Sequence, residues 1–354
     1  MKTFIKFWIV LFLIGITGVS CRHVKDEKKN ETSVESEPVP SKSAEEKTDE
    51  FAVLYDYLKQ NGDFINSPYC PAMIDAKEVH QNMNRKDFLI IDLRKPEHYR
   101  QGHIPHAENV PYFKVISYVE NQIRPQDYEK IVLVCYSGQS ASYLTSLLNM
   151  AGYDNVYAMK FGMSSWNKAT AKDYWLKNIS DKYADRLETK ENPKNEPGVY
   201  PSLYTGEKEG SKIFRKRLES VMMDPFKARL VSADEVFAHP ERYYIVNYWP
   251  REKYLAGHIP GAIQYTPKKD LKKETYLNTL PVDKPIVIYC YTGQHASMLA
   301  AYLNLLGYDA RVLKYGANSF MHSILKKNRW HAFTPKKIYG FPLVKQEEPA
   351  AVSY

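Results

Sequence analysis

Two tandem α/β domains, each a small parallel sheet with helices on both faces, are the architecture this sequence predicts, and three observations predict it. Apolar runs of strand length alternate with segments of helical period, which is the pattern of a parallel sheet with crossover helices. One strand–loop–helix unit, IVLVCYSGQS at Ile131–Ser140, returns as IVIYCYTGQH at Ile286–His295. The correspondence runs well beyond these loops at a constant offset of 155 residues, taking Asp92 to Asn247, Gly102-His103-Ile104-Pro105 to Gly257-His258-Ile259-Pro260, and Gly152-Tyr153-Asp154 to Gly307-Tyr308-Asp309. One residue is then lost, so that Lys160-Phe161-Gly162 answers to Lys314-Tyr315-Gly316. Repetition at so many fixed positions marks a duplicated domain.

Residues 1–21 read as a targeting signal. Lys2 and Lys6 precede an apolar run from Phe7 to Ile14 that continues to Ser20-Cys21, too short for a comfortable membrane span. Cys21 after the small Ser20 looks like the lipid-modified cysteine of bacterial lipoproteins, although Gly18 stands where that signal usually carries leucine. The expectation is export and anchoring through Cys21 at a bacterial cell envelope. Residues 22–50, rich in Lys, Glu, Ser and Pro, cannot bury enough apolar surface to order themselves and read as a tether.

The first domain is expected over 51–178. Phe51, Leu54, Tyr55 and Leu58 share a helical face; Asp75–Met83 is a helix; Phe88–Asp92 is a buried strand; a short helix lies around Glu97–Arg100. Ile131–Cys135 forms the next strand, Ser140–Met150 a helix closed by Gly152, and Val156–Met159 a further strand. A linker, 179–210, is marked by Pro193, Pro197 and Pro201 and is expected to drape over the surface. The second domain is expected over 211–345, led by a helical stripe of Phe214, Leu218, Val221 and Met222, with Trp330–Val344 as a docked tail and 346–354 as a free one.

With 354 residues, 44% hydrophobic and 25% charged, the chain has room for two globular domains. A net charge of +8 is mild and its basic residues are scattered, apart from short patches such as Arg215–Arg217 and Lys268–Lys273, so no nucleic-acid partner is expected. The cysteines are not spaced as ligand pairs, so neither a metal nor another cofactor is implied. With Cys21 given to lipid, Cys70, Cys135 and Cys290 remain, an odd number that is no disulfide framework. Cys70, in Ser-Pro-Tyr-Cys-Pro, has no match in the repeat and reads as incidental.

A cysteine at the carboxyl end of a parallel strand, followed by a tight turn and a helix, stands where open α/β sheets hold their ligands. The N–H groups of the turn and the helix dipole favour a thiolate and a bound anion. Cys135 and Cys290 are therefore candidate nucleophiles. The loop residues Tyr136, Ser137, Gly138, Gln139 and Ser140, with Tyr291, Thr292, Gly293, Gln294 and His295, are candidate substrate contacts, as is Arg94. His98 and Lys253 are further possible contacts. A local Arg94–Glu97 ion pair is expected, and structural hydrogen bonds for His103 and His258.

These motifs together resemble the rhodanese superfamily: Asp92-Leu93-Arg94, Glu97 and Tyr99, Gly102-His103-Ile104-Pro105, the Cys135-Tyr136-Ser137-Gly138 loop and Phe161-Gly162 before Trp166, with their counterparts in the second copy. The resemblance implies two rhodanese-like domains and a sulfurtransferase. A loop cysteine would take a sulfane sulfur as a persulfide from a small sulfur-containing anion or persulfide donor and pass it to a thiol acceptor. The chain departs from the family where thiosulfate-using members carry basic residues just after the cysteine and many carry Arg five positions on; here Ser140 and His295 stand at the latter place. In the second copy the Asp-x-Arg signature has become Asn247-Tyr248-Trp249, which ranks Cys135 above Cys290, although two-domain relatives keep the active cysteine in the second domain. The absence of Arg from either loop argues against the related cysteine phosphatases. Two alternatives stay open: a binding module that kept the fold without turnover, and a redox protein joining Cys135 to Cys290.

Overall fold

The computed structural model describes residues 48–346; the targeting signal, Cys21, most of the tether and most of the tail fall in 1–47 and 347–354, outside the described residues. No helix among the described residues is long and apolar enough to cross a membrane.

Five strands form the first sheet: β1 Met73–Ile74, β2 Phe88–Asp92, β3 Glu108–Asn109, β4 Lys130–Val134 and β5 Val156–Met159. Five more repeat it: β6 Leu230–Val231, β7 Tyr244–Asn247, β8 Ile263–Gln264, β9 Ile286–Tyr289 and β10 Ala310–Leu313. All pairings are parallel, in the orders β1-β5-β4-β2-β3 and β6-β10-β9-β7-β8. Each cysteine therefore follows the central strand of its sheet, β4 or β9. Side chains alternate across a strand, so Ile131 and Leu133 join the core at the seam between the halves while Val132 and Val134 join the outer layer with Ile90, Met163 and Trp166. The two-residue edge strands β1, β3, β6 and β8 are too short to show a period in the sequence.

The halves meet through the helices Gln139–Met150 and Gln294–Leu305, which pack against each other. Neither holds an aspartate, glutamate, lysine or arginine, and small residues such as Ala141, Ser142, Ala300 and Ala301 let the backbones approach. Ser146 Oγ donates to the Met298 carbonyl at 2.9 Å across this seam. The Glu50–Gln60 helix, capped by the Asp49 carboxylate, packs on the Gly210–Met223 helix, which also contacts Gln294–Leu305.

The segments following each half are exchanged. Residues after the first half run over the second, where Glu188 and His258 form an antiparallel bridge with both N–H···O bonds at 2.9 Å. The end of the chain returns to the first half, where Val344 and His103 form the matching bridge and Trp166 Nε1 donates to the Pro342 carbonyl at 2.8 Å. Each strap covers a Gly-His-Ile-Pro turn. The histidine rings sit where the structure needs them: His103 Nδ1 lies 2.9 Å from the Tyr99 carbonyl and His258 Nδ1 2.8 Å from that of Tyr254, each ring stacked on its tyrosine.

Candidate active site

Both cysteines are 3% exposed and unpaired. At each loop a glycine with positive φ, Gly138 at +87° and Gly293 at +76°, turns the chain directly into the helix. The Gly138 and Ala141 N–H groups donate to Cys135 Sγ at 3.1 and 3.5 Å. Ala296 N–H donates to Cys290 Sγ at 3.4 Å, and the N–H groups of Thr292, Gly293 and His295 also favour the thiolate there. Burial outweighs these donors and pushes the Cys290 thiol up from its ordinary value. Cys70, buried without such a cradle, is pushed up to about 12.

A second pair of glycines closes each loop from behind. A Cβ at Gly162 would lie 2.3 Å from the Cys135 carbonyl oxygen and one at Gly316 would lie 2.3 Å from that of Cys290, so the recurring Phe/Tyr-Gly dipeptide lets two backbones pass in contact.

The two loops differ in what surrounds the sulfur. A cavity of about 290 Å³ is lined by Cys290, Tyr291, Thr292, Gln294 and His295 together with Tyr248, Pro250, Pro267 and His331 of the second half. Pro71, Met73, Lys160 and Phe161 of the first half complete it, so the pocket is composite. His295 Nε2 is buried without a hydrogen-bond partner, its ring edge-on to Tyr248 at 4.8 Å. Burial, aided by Lys268, holds this imidazole at about 3, so it is neutral. Both sulfurs have aromatic neighbours: Tyr112, Tyr174 and Tyr315 near Cys135, and Tyr248 and Tyr291 near Cys290. Tyr136 stacks on Tyr174 at 4.4 Å and is hydrogen-bonded to His98 Nδ1, and Trp175 Nε1 donates to the Ser137 carbonyl at 3.1 Å.

Arg94, Gln139 and Gln294 each hold backbone or a neighbouring side chain. Arg94 does not pair with Glu97; its Nε and Nη2 donate to the Asp92 carboxylate at 3.0 and 2.7 Å and Nη2 to the Gly102 carbonyl at 2.8 Å. It is 3% exposed and braces the loop rather than facing a ligand. Gln139 and Gln294 cross the seam: Gln294 Oε1 accepts from Phe161 N–H at 2.9 Å and Gln139 Oε1 from Tyr315 N–H at 3.1 Å. Each glutamine thus holds the loop of the opposite half, because the seam buries backbone donors that strands and helices do not satisfy. Gln294 still touches the Cys290 cavity. Thr292 Oγ1 accepts from Gln294 N–H at 3.3 Å, while Ser137 and Ser140 are half-buried beside Cys135.

In the second half the buried pair is replaced as a unit. Asn247 Nδ2 donates to Tyr289 Oη at 2.8 Å, and Trp249, in the place of Arg94, stacks on Tyr291 at 4.7 Å. Lys253 lies over the other aromatic partners, 5.5 Å from the Tyr291 ring and 5.9 Å from that of Trp330. Lys160, Tyr248, His331 and the 71–73 segment were not foreseen as site residues. The recurrence of Lys160 as Lys314 was a visible signal, but nothing in the sequence said that Lys160 would reach the opposite half's cysteine.

Among known proteins, a 96-residue stretch is 30% identical to the Thiosulfate sulfurtransferase GlpE of Pseudoalteromonas translucida (strain TAC 125), covering 27% of this chain and 89% of that protein. The crystal structure of a thiosulfate sulfurtransferase from Pseudomonas aeruginosa matches at 17% identity over 73% of this chain and 46% of its own, with a TM-score of 0.26. A rhodanese-like domain protein from Staphylococcus aureus matches at 23% identity over 26% of this chain and 86% of its own, with a TM-score of 0.23. The profile of the rhodanese-like domain matches twice, over residues 75–169 and 232–323. These two segments make up more than half of the sequence, and the chain belongs to the rhodanese-like domain family.

Proposed function

We propose that the protein is a sulfurtransferase that carries a sulfane sulfur on Cys290. The observation that supports this reading best is the cavity that reaches Cys290 and holds an unpartnered imidazole nitrogen, His295 Nε2, beside it. Four loop N–H groups favour negative charge on this sulfur, which offsets part of the burial cost as a bond forms. With a persulfide donor, the Cys290 sulfur attacks the outer sulfur, the donor's S–S bond breaks, and the Cys290 proton ends on the leaving thiol. With thiosulfate, the thiolate takes the outer sulfur and sulfite leaves. In the second half-reaction an acceptor thiolate attacks the Cys290 persulfide and regenerates the thiolate. His295 is neutral and suited to hydrogen-bond the terminal sulfur rather than to act as a base. This reading reverses the ranking expected from the sequence, since the cavity described above opens on Cys290.

The test is to incubate the protein with thiosulfate or a small persulfide and weigh it. A gain of one sulfur atom is expected in the wild type and in Cys135→Ser, and none in Cys290→Ser. Absence of sulfur on Cys290 with every donor refutes the reading. That result would favour the alternative of a non-catalytic pocket, which the raised thiol of Cys290 supports.

We also propose export and lipid anchoring at Cys21, on the pattern of Lys2, Lys6 and the apolar run before Ser20. Labelled palmitate should enter the expressed chain and fail to enter Cys21→Ala; an unlabelled wild-type chain refutes it.

A further inference from the structure

A second cavity, of about 320 Å³, adjoins the one at Cys290, and the two share Lys160, Phe161 and His331 as lining residues. Four cations line it, Lys160, Lys326, Arg329 and Lys337, and no carboxylate does. Among the described residues none of the four makes an ion pair with a carboxylate, and the four converge on one cavity. Like charges gathered without a counter-charge raise the local concentration of anions. Partial burial and the nearby Lys160, Lys253 and Lys337 also hold His331 below its ordinary value, consistent with a positive field over both cavities.

The backbone here is held in an uncommon form. Arg329 and His331 have φ of +58° and +52°, a region that residues with side chains rarely adopt. Trp330 N–H, donating to the Leu325 carbonyl at 2.9 Å, and Asn318 Nδ2, donating to that of His331 at 3.3 Å, fix the turn. The turn brings both residues into the wall of the basic cavity.

Thiosulfate or inorganic persulfide would occupy the Cys290 cavity alone and leave the basic one without a function. We infer that the sulfur carrier used by Cys290 is a low-molecular-weight thiol whose far end bears several negative charges, carboxylate or phosphate, seated on Lys326, Arg329 and Lys337. The inference rests on reading Cys290 as the sulfur-carrying residue. The transfer balances as carrier persulfide plus Cys290 thiol giving carrier thiol plus Cys290 persulfide: one S–S bond forms as another breaks, and the proton passes to the leaving sulfur.

Calorimetric titration of the full chain carrying Cys290→Ser separates the carrier's seat from the chemistry. The probes are glutathione for carboxylates, phosphopantetheine for phosphate and 2-mercaptoethanol for an uncharged thiol. One or both anionic thiols should bind more tightly than 2-mercaptoethanol, and which of the two binds better identifies the anion. Adding Lys326→Ala with Lys337→Ala should lower the preference for the anionic thiol by roughly tenfold, and Lys→Arg at both positions should restore it. Both lysines are exposed, so folding is not at stake. Anionic thiols that bind no better than 2-mercaptoethanol, or a preference that the double alanine variant leaves intact, overturn the inference. If the anionic thiols bind as expected but no persulfide donor loads Cys290 in the wild type, the sulfurtransferase reading fails and the anion seat stands.

Discussion

Replacing Asp92 by Asn tests what braces the first loop. The carboxylate is 1% exposed and accepts three groups of Arg94: the backbone N–H at 3.0 Å, Nε at 3.0 Å and Nη2 at 2.7 Å. The guanidinium, 3% exposed, has the Gly102 carbonyl as its other acceptor. Asn keeps the shape but removes the charge and turns an NH₂ toward one of the guanidinium donors. A buried cation left without its counter-charge costs about 3–5 kcal/mol. Urea unfolding should show that loss as a lowered midpoint at unchanged slope. The control is Asp87→Asn, which breaks a pair with Arg85 whose side chains are 44% and 46% exposed, and should leave the urea midpoint nearly unchanged. If Asp92→Asn costs as little as the control, Arg94 is not a structural brace and its place among the ligand contacts is reopened.

Two further outcomes follow from the second loop. Gly316→Ala puts a methyl 2.3 Å from the Cys290 carbonyl oxygen and 2.6 Å from Gly293 N, at a φ of +56°, so the loop must shift. Overpacking and strain together should cost about 2–5 kcal/mol, and thiol alkylation should find Cys290 more accessible; wild-type stability and labelling would contradict the geometry. His295, held down at about 3 against an ordinary 6.5, binds its proton in the unfolded chain first. Its contribution to stability is therefore present above pH 6.5 and drains away as pH falls from there toward 3. His295→Gln should flatten the decline of stability over that interval, and identical slopes would show that the ring is not buried as described.

The sheet centres were legible because strands buried on both faces read as continuous apolar runs, as in Phe88–Asp92 and Ile131–Val134. The cysteine loops were legible because strand, glycine turn and helix are local in sequence. What escaped was carried by contacts distant along the chain. Gln139 and Gln294 look like loop ligands until the seam places each beside the other half's backbone. The tail at 339–346 has no period because it docks as a strap through main-chain bonds at Ser165, Trp166 and His103, which need no side-chain pattern. Arg94 was assigned to Glu97 by proximity, yet Asp92, closer in the folded loop, holds it.

The loss of the Asp-x-Arg pair in the second half is best understood as a concerted replacement rather than decay. Removing the aspartate alone would have stranded a buried guanidinium; here the arginine has gone too, and Tyr289, in the place of Val134, supplies the hydroxyl that Asn247 meets. Trp249 then fills the arginine's space and stacks on Tyr291 beside the cavity. The outcome is a second loop braced by neutral and aromatic groups, with a lysine of the cavity lining, Lys160, contributed by the first half. Because the straps and the two glutamines tie the halves reciprocally, the first half does more for the second than repeat it. It closes one wall of the Cys290 pocket and supplies a charge there, so a site assembled across the duplication depends on both copies.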